Sequence, residues 1–329
     1  MAKIYYEKDT SLKTLQGKKV AIIGYGSQGR AHALNLRDSK VDVIVGLRKG
    51  GKTWGLAEKD GFKPMEIKDA SAKADIIMIL TPDITQGAVY KEYIKPTLKQ
   101  GKAIGFAHGY NIRYGLVKPP KDIDVFMVAP KGPGAKVRET FEQGFGVPAL
   151  VAVEQNYTGK ARELALAYAK GIGATKAGVL ETTFLEETES DLFGEQAVLV
   201  GGVMSLIEKG FEVLTENGYQ PELAYFEVLN ELKLIVDLIF TGGIKGMLKS
   251  VSDTAKYGGL TKGYEIVDDH VKQNMKKALE EIKNGKFAED WTGDMKTSSR
   301  KLEEMMSNMD KKEIEKVGQI VRKLTGIEK

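Results

Sequence analysis

The sequence predicts an α/β fold over its first half and an all-helical unit over its second. Three observations carry that expectation. Short β-branched runs alternate with helical patterns, a glycine-rich turn follows one of those runs, and no clear strand pattern persists beyond about Thr182. Alternation of this kind predicts a parallel sheet covered by helices on both faces.

The strands are expected at Lys19–Ile23, Val41–Gly46, Asp75–Leu80, Lys102–Ala107, Val125–Ala129 and Pro148–Val153. Helical patterns between them include Gln28–Ser39 and Gln86–Lys95. The glycines at Gly132–Gly134 and Gly144–Gly146 mark loops. Long helical periods then dominate, at Ser190–Lys209, Pro221–Phe240 and Asp269–Asn284. Pro221 with Glu222 behind it reads as a helix start. The amphipathic tail Lys311–Leu324 reads as a surface helix. The pattern changes near Glu181–Phe184, which sets domains at residues 1–182 and 183–329.

Composition narrows the chemistry. The chain has 329 residues, no cysteine and three histidines, His32, His108 and His270. Disulfides, iron–sulfur clusters, thiolate zinc and a cysteine nucleophile are excluded. Any metal must be hard and held by oxygen. Hydrophobic content of 42% with 29% charge is a soluble, globular balance. The net charge of +4 is small, and lysines alternate with acids, so no nucleic-acid partner is expected. Met1–Gln16 has no apolar signal core, and no run reaches membrane-spanning length. The expectation is a cytoplasmic protein without a membrane partner.

Gly24, Tyr25, Gly26, Ser27, Gln28 and Gly29 follow the run Val20–Ile23 and open a helical pattern. This is G-x-G-x-x-G in the context of strand, tight turn and helix, which predicts a Rossmann-type dinucleotide site, with a plain glycine turn as the alternative. The helix N-terminus then supplies free N–H groups to a pyrophosphate. After the second strand come Arg48, Lys49, Gly50, Gly51, Lys52 and Thr53, with no acid for a ribose 2′-hydroxyl. Cations suit a 2′-phosphate, so NADP is favoured over NAD, with a solvated basic turn as the alternative. Leu80, Thr81, Pro82 and Asp83 end a third strand at the same carboxyl edge.

Two carboxylate pairs stand out in the second half. Asp191 with Glu195, and Glu227 with Glu231, are each spaced to share one helix face. Their neighbours are strongly apolar, so the helices are expected to be buried and the acids to need partners. One or two Mg²⁺ ions would fit, and two solvated acidic faces remain the alternative. His108 and Lys131 each follow a strand, and the residues alone leave functional and structural readings open. Ser252 reads by itself as a helix cap, and His32 as structural.

Together these segments resemble the short-chain class I ketol-acid reductoisomerases over essentially the whole chain. The matching stretches are Gly24–Ala33, Leu80–Asp83 with Gln86, Ala107–Gly109, Ala129–Gly134, Asp191–Gln196, Phe226–Leu234 and Ser250–Ala255. The resemblance implies a knotted, all-helical second domain that pairs with another subunit, so a homodimer or a larger assembly of dimers. It implies NADPH and two Mg²⁺. Asp191 would bridge the metals, Glu195 would complete one site, and Glu227 and Glu231 the other. Ser252 would hold the substrate carboxylate, and His108 and Lys131 would border the reacting centre. Glu231 or a metal-bound water would manage protons. Tyr25–Gln28, Arg48, Asp83, Ile84, Thr85, Gln86 and Gly134 would contact the cofactor. The implied reaction takes 2-hydroxy-3-keto acids through alkyl migration and reduction.

Three positions depart from the family pattern. Asn230 and Ala135 stand where histidine is frequent, and Gly51 stands where many relatives carry a phosphate-binding serine. With Thr53, Lys49 and Lys52 left to hold the phosphate, NADPH preference with appreciable NADH use is expected. The competing readings are a metal-free β-hydroxyacid dehydrogenase and a dinucleotide sensor without turnover.

Overall fold

A computed structural model describes residues 2–327. The chain divides into two compact units, Met1–Ser190 and Asp191–Lys329. Among the described residues the first holds nine strands: β1 (Ile4–Tyr5), β2 (Lys19–Ile23), β3 (Asp42–Leu47), β4 (Met65–Glu66), β5 (Ile76–Ile79), β6 (Ala103–Phe106), β7 (Asp124–Pro130), β8 (Ala149–Gln155) and β9 (Val179–Glu181). They form one sheet in the order β1-β9-β8-β7-β6-β5-β2-β3-β4. Its helices are α1 (Ser27–Asp38), α2 (Trp54–Lys59), α3 (Ile67–Lys73), α4 (Asp83–Val89), α5 (Tyr110–Arg113), α6 (Gly134–Glu142), α7 (Ala161–Gly171) and α8 (Phe184–Gly194), the last crossing the division.

Strand alternation explains the two-faced core. Val20, Ile22, Met78 and Phe126 pack on one face of the sheet, and Ala21, Ile23, Ile77, Ile79 and Phe106 on the other. All six expected strands form, with ends shifted by a residue or two. The sheet is mixed, however, where a parallel one was expected. β8 runs antiparallel to β7, and β1 antiparallel to β9. Apolar runs report burial and carry no strand direction.

The second unit is helical: α9 (Gly201–Glu216), α10 (Pro221–Tyr225), α11 (Leu232–Ser250), α12 (Asp253–Ile266), α13 (Asp269–Lys283), α14 (Lys286–Thr292), α15 (Met295–Met309) and α16 (Glu313–Leu324). Its core joins Phe211 of α9, Ala224 and Tyr225 of α10, and Ile314, Val317 and Val321 of α16. Two of the helices expected in this unit are interrupted. A π-helical turn at Glu195–Leu199 separates α8 from α9, and another at Phe226–Asn230 separates α10 from α11. α11 also breaks at Gly243, whose φ is +68°.

The expected burial of these helices is not met within one chain. α11 and α12 have no buried residue, and Phe240 is 91% exposed. An apolar pattern predicts burial, but in the described chain these residues stay at least partly exposed. Among the described residues no helix is long and apolar enough to cross a membrane.

Candidate active site

The sheet order reverses at β2, with β3 on one side and β5 on the other. Ligands of open α/β sheets bind at the carboxyl ends of the strands beside such a reversal. The glycine loop lies there, between β2 and α1. Its three glycines have distinct tasks. Gly24 takes φ +99°, and a Cβ there would stand 2.7 Å from the Leu80 carbonyl oxygen. A Cβ on Gly29 would stand 2.2 Å from the Gly24 carbonyl oxygen, so α1 approaches the loop only as glycine allows. The Cβ position of Gly26 faces open space, with no atom within 4 Å. That opening beside the N-terminus of α1 fits a dinucleotide pyrophosphate.

The neighbouring turns complete the crevice. Arg48, Lys49 and Lys52 are exposed in the turn between β3 and α2, which the Gly51 N–H closes on the Arg48 carbonyl at 3.0 Å. After β5, the Gln86 amide donates to the Thr81 carbonyl at 2.8 Å and to Asp83 Oδ1 at 3.1 Å. Asn111 donates to the Asp83 carbonyl at 3.1 Å. Thr81 Oγ1, Gln86 Oε1 and Asn111 Oδ1 are buried polar atoms without a protein partner, as suits the rim of a polar ligand's site. Leu80 packs against the core, while Ile84 and Thr85 lie in the first turn of α4. Gly134 starts α6, and a Cβ there would meet the Ser27 backbone at 2.2 Å. The first turns of α1 and α6 therefore touch, and the Gln28 amide donates to Gly132 O at 2.9 Å across the same junction.

His108 and Lys131 meet over a residue that sequence reasoning missed. Glu187 of α8 is 1% exposed at its side chain. His108 Nδ1 lies 3.0 Å from Glu187 Oε2, the Gly109 N–H donates to the same oxygen at 2.9 Å, and Lys131 Nζ donates to Oε1 at 3.1 Å. Burial pushes the Glu187 carboxyl up. The His108 hydrogen bond, the His108 and Lys131 charges and the Gly109 N–H outweigh it and hold the group below the usual glutamate range. An ionised Glu187 accepts a hydrogen bond from His108 Nδ1 and so orients the ring. The missed signal was Glu187, Asp191 and Glu195 at successive spacings of four. The helix starts at Phe184, six residues before its expected start at Ser190.

Asp191 stands one turn beyond Glu187 on α8, and Glu195 opens the first π turn. Glu227 lies inside the second π turn, which the Glu231 N–H closes on the Phe226 carbonyl at 3.1 Å. Each carboxylate pair thus has one member, Glu195 or Glu227, in a π turn, a feature frequent at functional sites. The donor set is all oxygen, as a hard divalent cation prefers. Among the described residues the four acids do not converge as a group of three in one chain. Glu195, Glu227 and Glu231 are exposed there. Ser252 caps α12, accepting the Ala255 N–H at 3.2 Å.

Comparison with known proteins matches residues 14–178 to the acetohydroxy acid isomeroreductase NADPH-binding domain, and residues 184–326 to the ketol-acid reductoisomerase C-terminal domain. The chain belongs to the ketol-acid reductoisomerase family. A ketol-acid reductoisomerase (NADP(+)) of Pyrococcus abyssi is 58% identical, covering 100% of this chain and 99% of its own. One from Pyrobaculum neutrophilum is 60% identical over 98% of this chain and 99% of its own. The solved structure of an NADH-preferring ketol-acid reductoisomerase from an uncultured archaeon superposes with a TM-score of 0.95 at 47% identity, covering 98% and 99% of the two chains. The first unit is therefore an NADP(H)-binding domain, and the chain is a ketol-acid reductoisomerase-type oxidoreductase. The two domain matches meet between residues 178 and 184. The compact units divide later, inside α8, whose buried Phe184, Glu187 and Thr188 belong to the first unit.

Proposed function

We propose that the protein is a Mg²⁺-dependent ketol-acid reductoisomerase of branched-chain amino-acid synthesis, working in the cytoplasm. It would convert 2-acetolactate or 2-aceto-2-hydroxybutyrate to the 2,3-dihydroxy acid. The carrying observation is one chain that pairs a complete glycine loop with the four-carboxylate set and matches relatives of that activity end to end.

Asp191, Glu195, Glu227 and Glu231 would hold two Mg²⁺. Bound there, the ions supply Lewis acidity toward the ketone and the tertiary hydroxyl. The reduced nicotinamide supplies hydride. The chain's own residues bind, orient and manage protons. Gly24–Gly29, Leu80–Gln86 and Gly134 seat the dinucleotide, and Arg48, Lys49, Lys52 and Thr53 face its 2′-phosphate. Glu187 orients His108 through Nδ1, so Nε2 is the atom that gives or takes a proton. The same carboxylate holds the Lys131 ammonium at the strand edge, where positive charge stabilises an oxyanion. Ser252 would receive the substrate carboxylate, and Glu231 would serve as a proton acceptor.

The smallest working form in this reading is a homodimer. The uncovered apolar side chains of α11, with Phe240, Ile244 and Leu234 exposed, support it. NADPH is the preferred cofactor and NADH is also used, because Gly51 offers no hydroxyl to the phosphate.

The test is NADPH oxidation with 2-acetolactate, with and without Mg²⁺. Turnover should require the ion, and Glu231→Gln should abolish turnover while leaving NADPH binding near wild type. Activity that survives EDTA would support the metal-free dehydrogenase reading instead.

A further inference from the structure

Tyr25 sits between the first two glycines of the dinucleotide loop, and its ring is buried against Phe62. Its hydroxyl donates to Asp60 Oδ2 at 2.9 Å. Arg30, in the first turn of α1, forks onto the same carboxylate, with Nε to Oδ2 at 2.7 Å and Nη2 to Oδ1 at 2.9 Å. Arg37, further along α1, donates to the Asp60 carbonyl. Asp60 itself ends α2, the helix that follows the basic turn Arg48–Thr53.

The local structure does not need an acid at that place. α2 closes with a Schellman turn made by its neighbours: Gly61 takes φ +86°, its N–H reaches the Glu58 carbonyl at 2.9 Å, and the Phe62 N–H reaches Ala57 at 3.0 Å. A negative charge at a helix C-terminus is opposed by the helix dipole. The carboxylate is therefore accounted for by what it holds at a distance. Arg30 keeps Asp60 below the usual carboxylate range, so it remains an acceptor. Burial first, then Asp60, pushes the Tyr25 hydroxyl up, so it remains a donor.

We propose that Asp60 is a positioning residue for cofactor binding. It fixes the backbone of Gly24–Gly29 by gripping Tyr25 and Arg30 from the end of α2. The proposal rests on the reading of Gly24–Gly29 as the dinucleotide loop. A loop rich in glycine has few side chains with which to anchor itself. Here Tyr25 anchors one side through Asp60, and Gln28 anchors the other through the Gly132 carbonyl. Without the Asp60 grip, the N–H groups facing the pyrophosphate would have to be ordered by the ligand, which costs affinity. NADPH and NADH share that pyrophosphate, so both should weaken alike.

The experiment titrates full-length protein with NADPH and with NADH by fluorescence, without substrate, and adds steady-state kinetics. For Asp60→Asn, the Kd of both cofactors should rise about tenfold in parallel, with kcat at saturating cofactor within about twofold of wild type. Tyr25→Phe should raise Kd less and should add little on top of Asp60→Asn, since both remove one linkage. Asp60→Glu, which keeps the charge, should recover part of the affinity. A folded Asp60→Asn protein with unchanged Kd, or one that loses kcat while Kd stays put, overturns the proposal. If Asp60→Asn does not fold, unchanged cofactor affinity in Tyr25→Phe overturns it equally. Gly26→Val separates this outcome from failure of the loop reading. Its Cβ enters the open space beside the N-terminus of α1, where the pyrophosphate would lie, so it should abolish binding of both cofactors. Normal binding by Gly26→Val removes the loop reading. Lost binding there with intact binding in Asp60→Asn removes only the role of Asp60.

Discussion

At the scale of the residue, Glu187 and His32 show two ways of burying a titratable group. A buried carboxylate is costly unless charged and dipolar donors surround it. Glu187 has His108, Lys131 and the Gly109 N–H. Glu187→Gln keeps the shape and removes the charge that orients His108 and holds Lys131. It should lower kcat by about a hundredfold, within the usual range for general acid–base groups, with NADPH affinity unchanged by titration. His32 takes the opposite route. It is fully buried, its Nδ1 lies 2.8 Å from the Tyr168 hydroxyl, and burial pushes its pKa down to about 3. The unfolded chain binds a proton at this residue below about pH 6.5, whereas the folded chain does not until about pH 3. Its contribution to stability is therefore full above pH 6.5 and is lost as pH falls toward 3, at up to about 1.4 kcal/mol per unit. Chemical denaturation across that window should show a shallower slope for His32→Gln. The glycine loop was legible in sequence because its spacing is local. Glu187 was not, because its partners lie 56 and 79 residues away and only the fold unites them.

At the scale of the element, close approaches between backbones set what each helix can carry. Gly29→Ala would drive a methyl group into the Gly24 carbonyl, forcing α1 away from the loop. We expect a loss of about 1–3 kcal/mol in stability and a large rise in the Kd for NADPH, read by thermal unfolding and titration. Gly51→Ser is a subtler change, since a Cβ there would stand 3.0 Å from the Arg48 carbonyl oxygen. The added hydroxyl should raise the NADPH:NADH ratio of kcat/KM by about tenfold, the scale of one added charge-assisted hydrogen bond. An unchanged ratio would show that residue 51 does not face the phosphate. Strands of four or more residues could be read from their apolar runs. The two- and three-residue strands β1, β4 and β9 could not, because pairing and not composition defines them. The direction of β8 and the π turns were equally silent, since both are choices of hydrogen-bond partner.

At the scale of the whole molecule, the question is which surface belongs to one chain. The apolar pattern of α11 predicted burial, and the described chain leaves that helix uncovered. A sequence reports that a face needs cover without naming the provider. If a second copy provides it and the four acids meet across the pair, each site is composite. Asp191→Asn and Glu231→Gln, each inactive alone, should then complement when unfolded together and reassembled. A two-fold pair made at random would recover about a quarter of wild-type turnover. No recovery in verified mixed dimers would place all four acids on one chain.

The π turn at Phe226–Asn230 adds one consequence. An extra residue in a helical turn is a change of phase: everything after it is rotated by about 100° about the axis. Glu227 lies inside that turn and Glu231 at its exit, while the exposed apolar stripe of α11 begins just beyond. Deleting one residue there would restore an ordinary ladder and swing acid and stripe to new azimuths together. If the acids hold ions and the stripe pairs with a second copy as proposed, ion binding and subunit pairing should fail in the same variant, because a single rotation would set the aim of both.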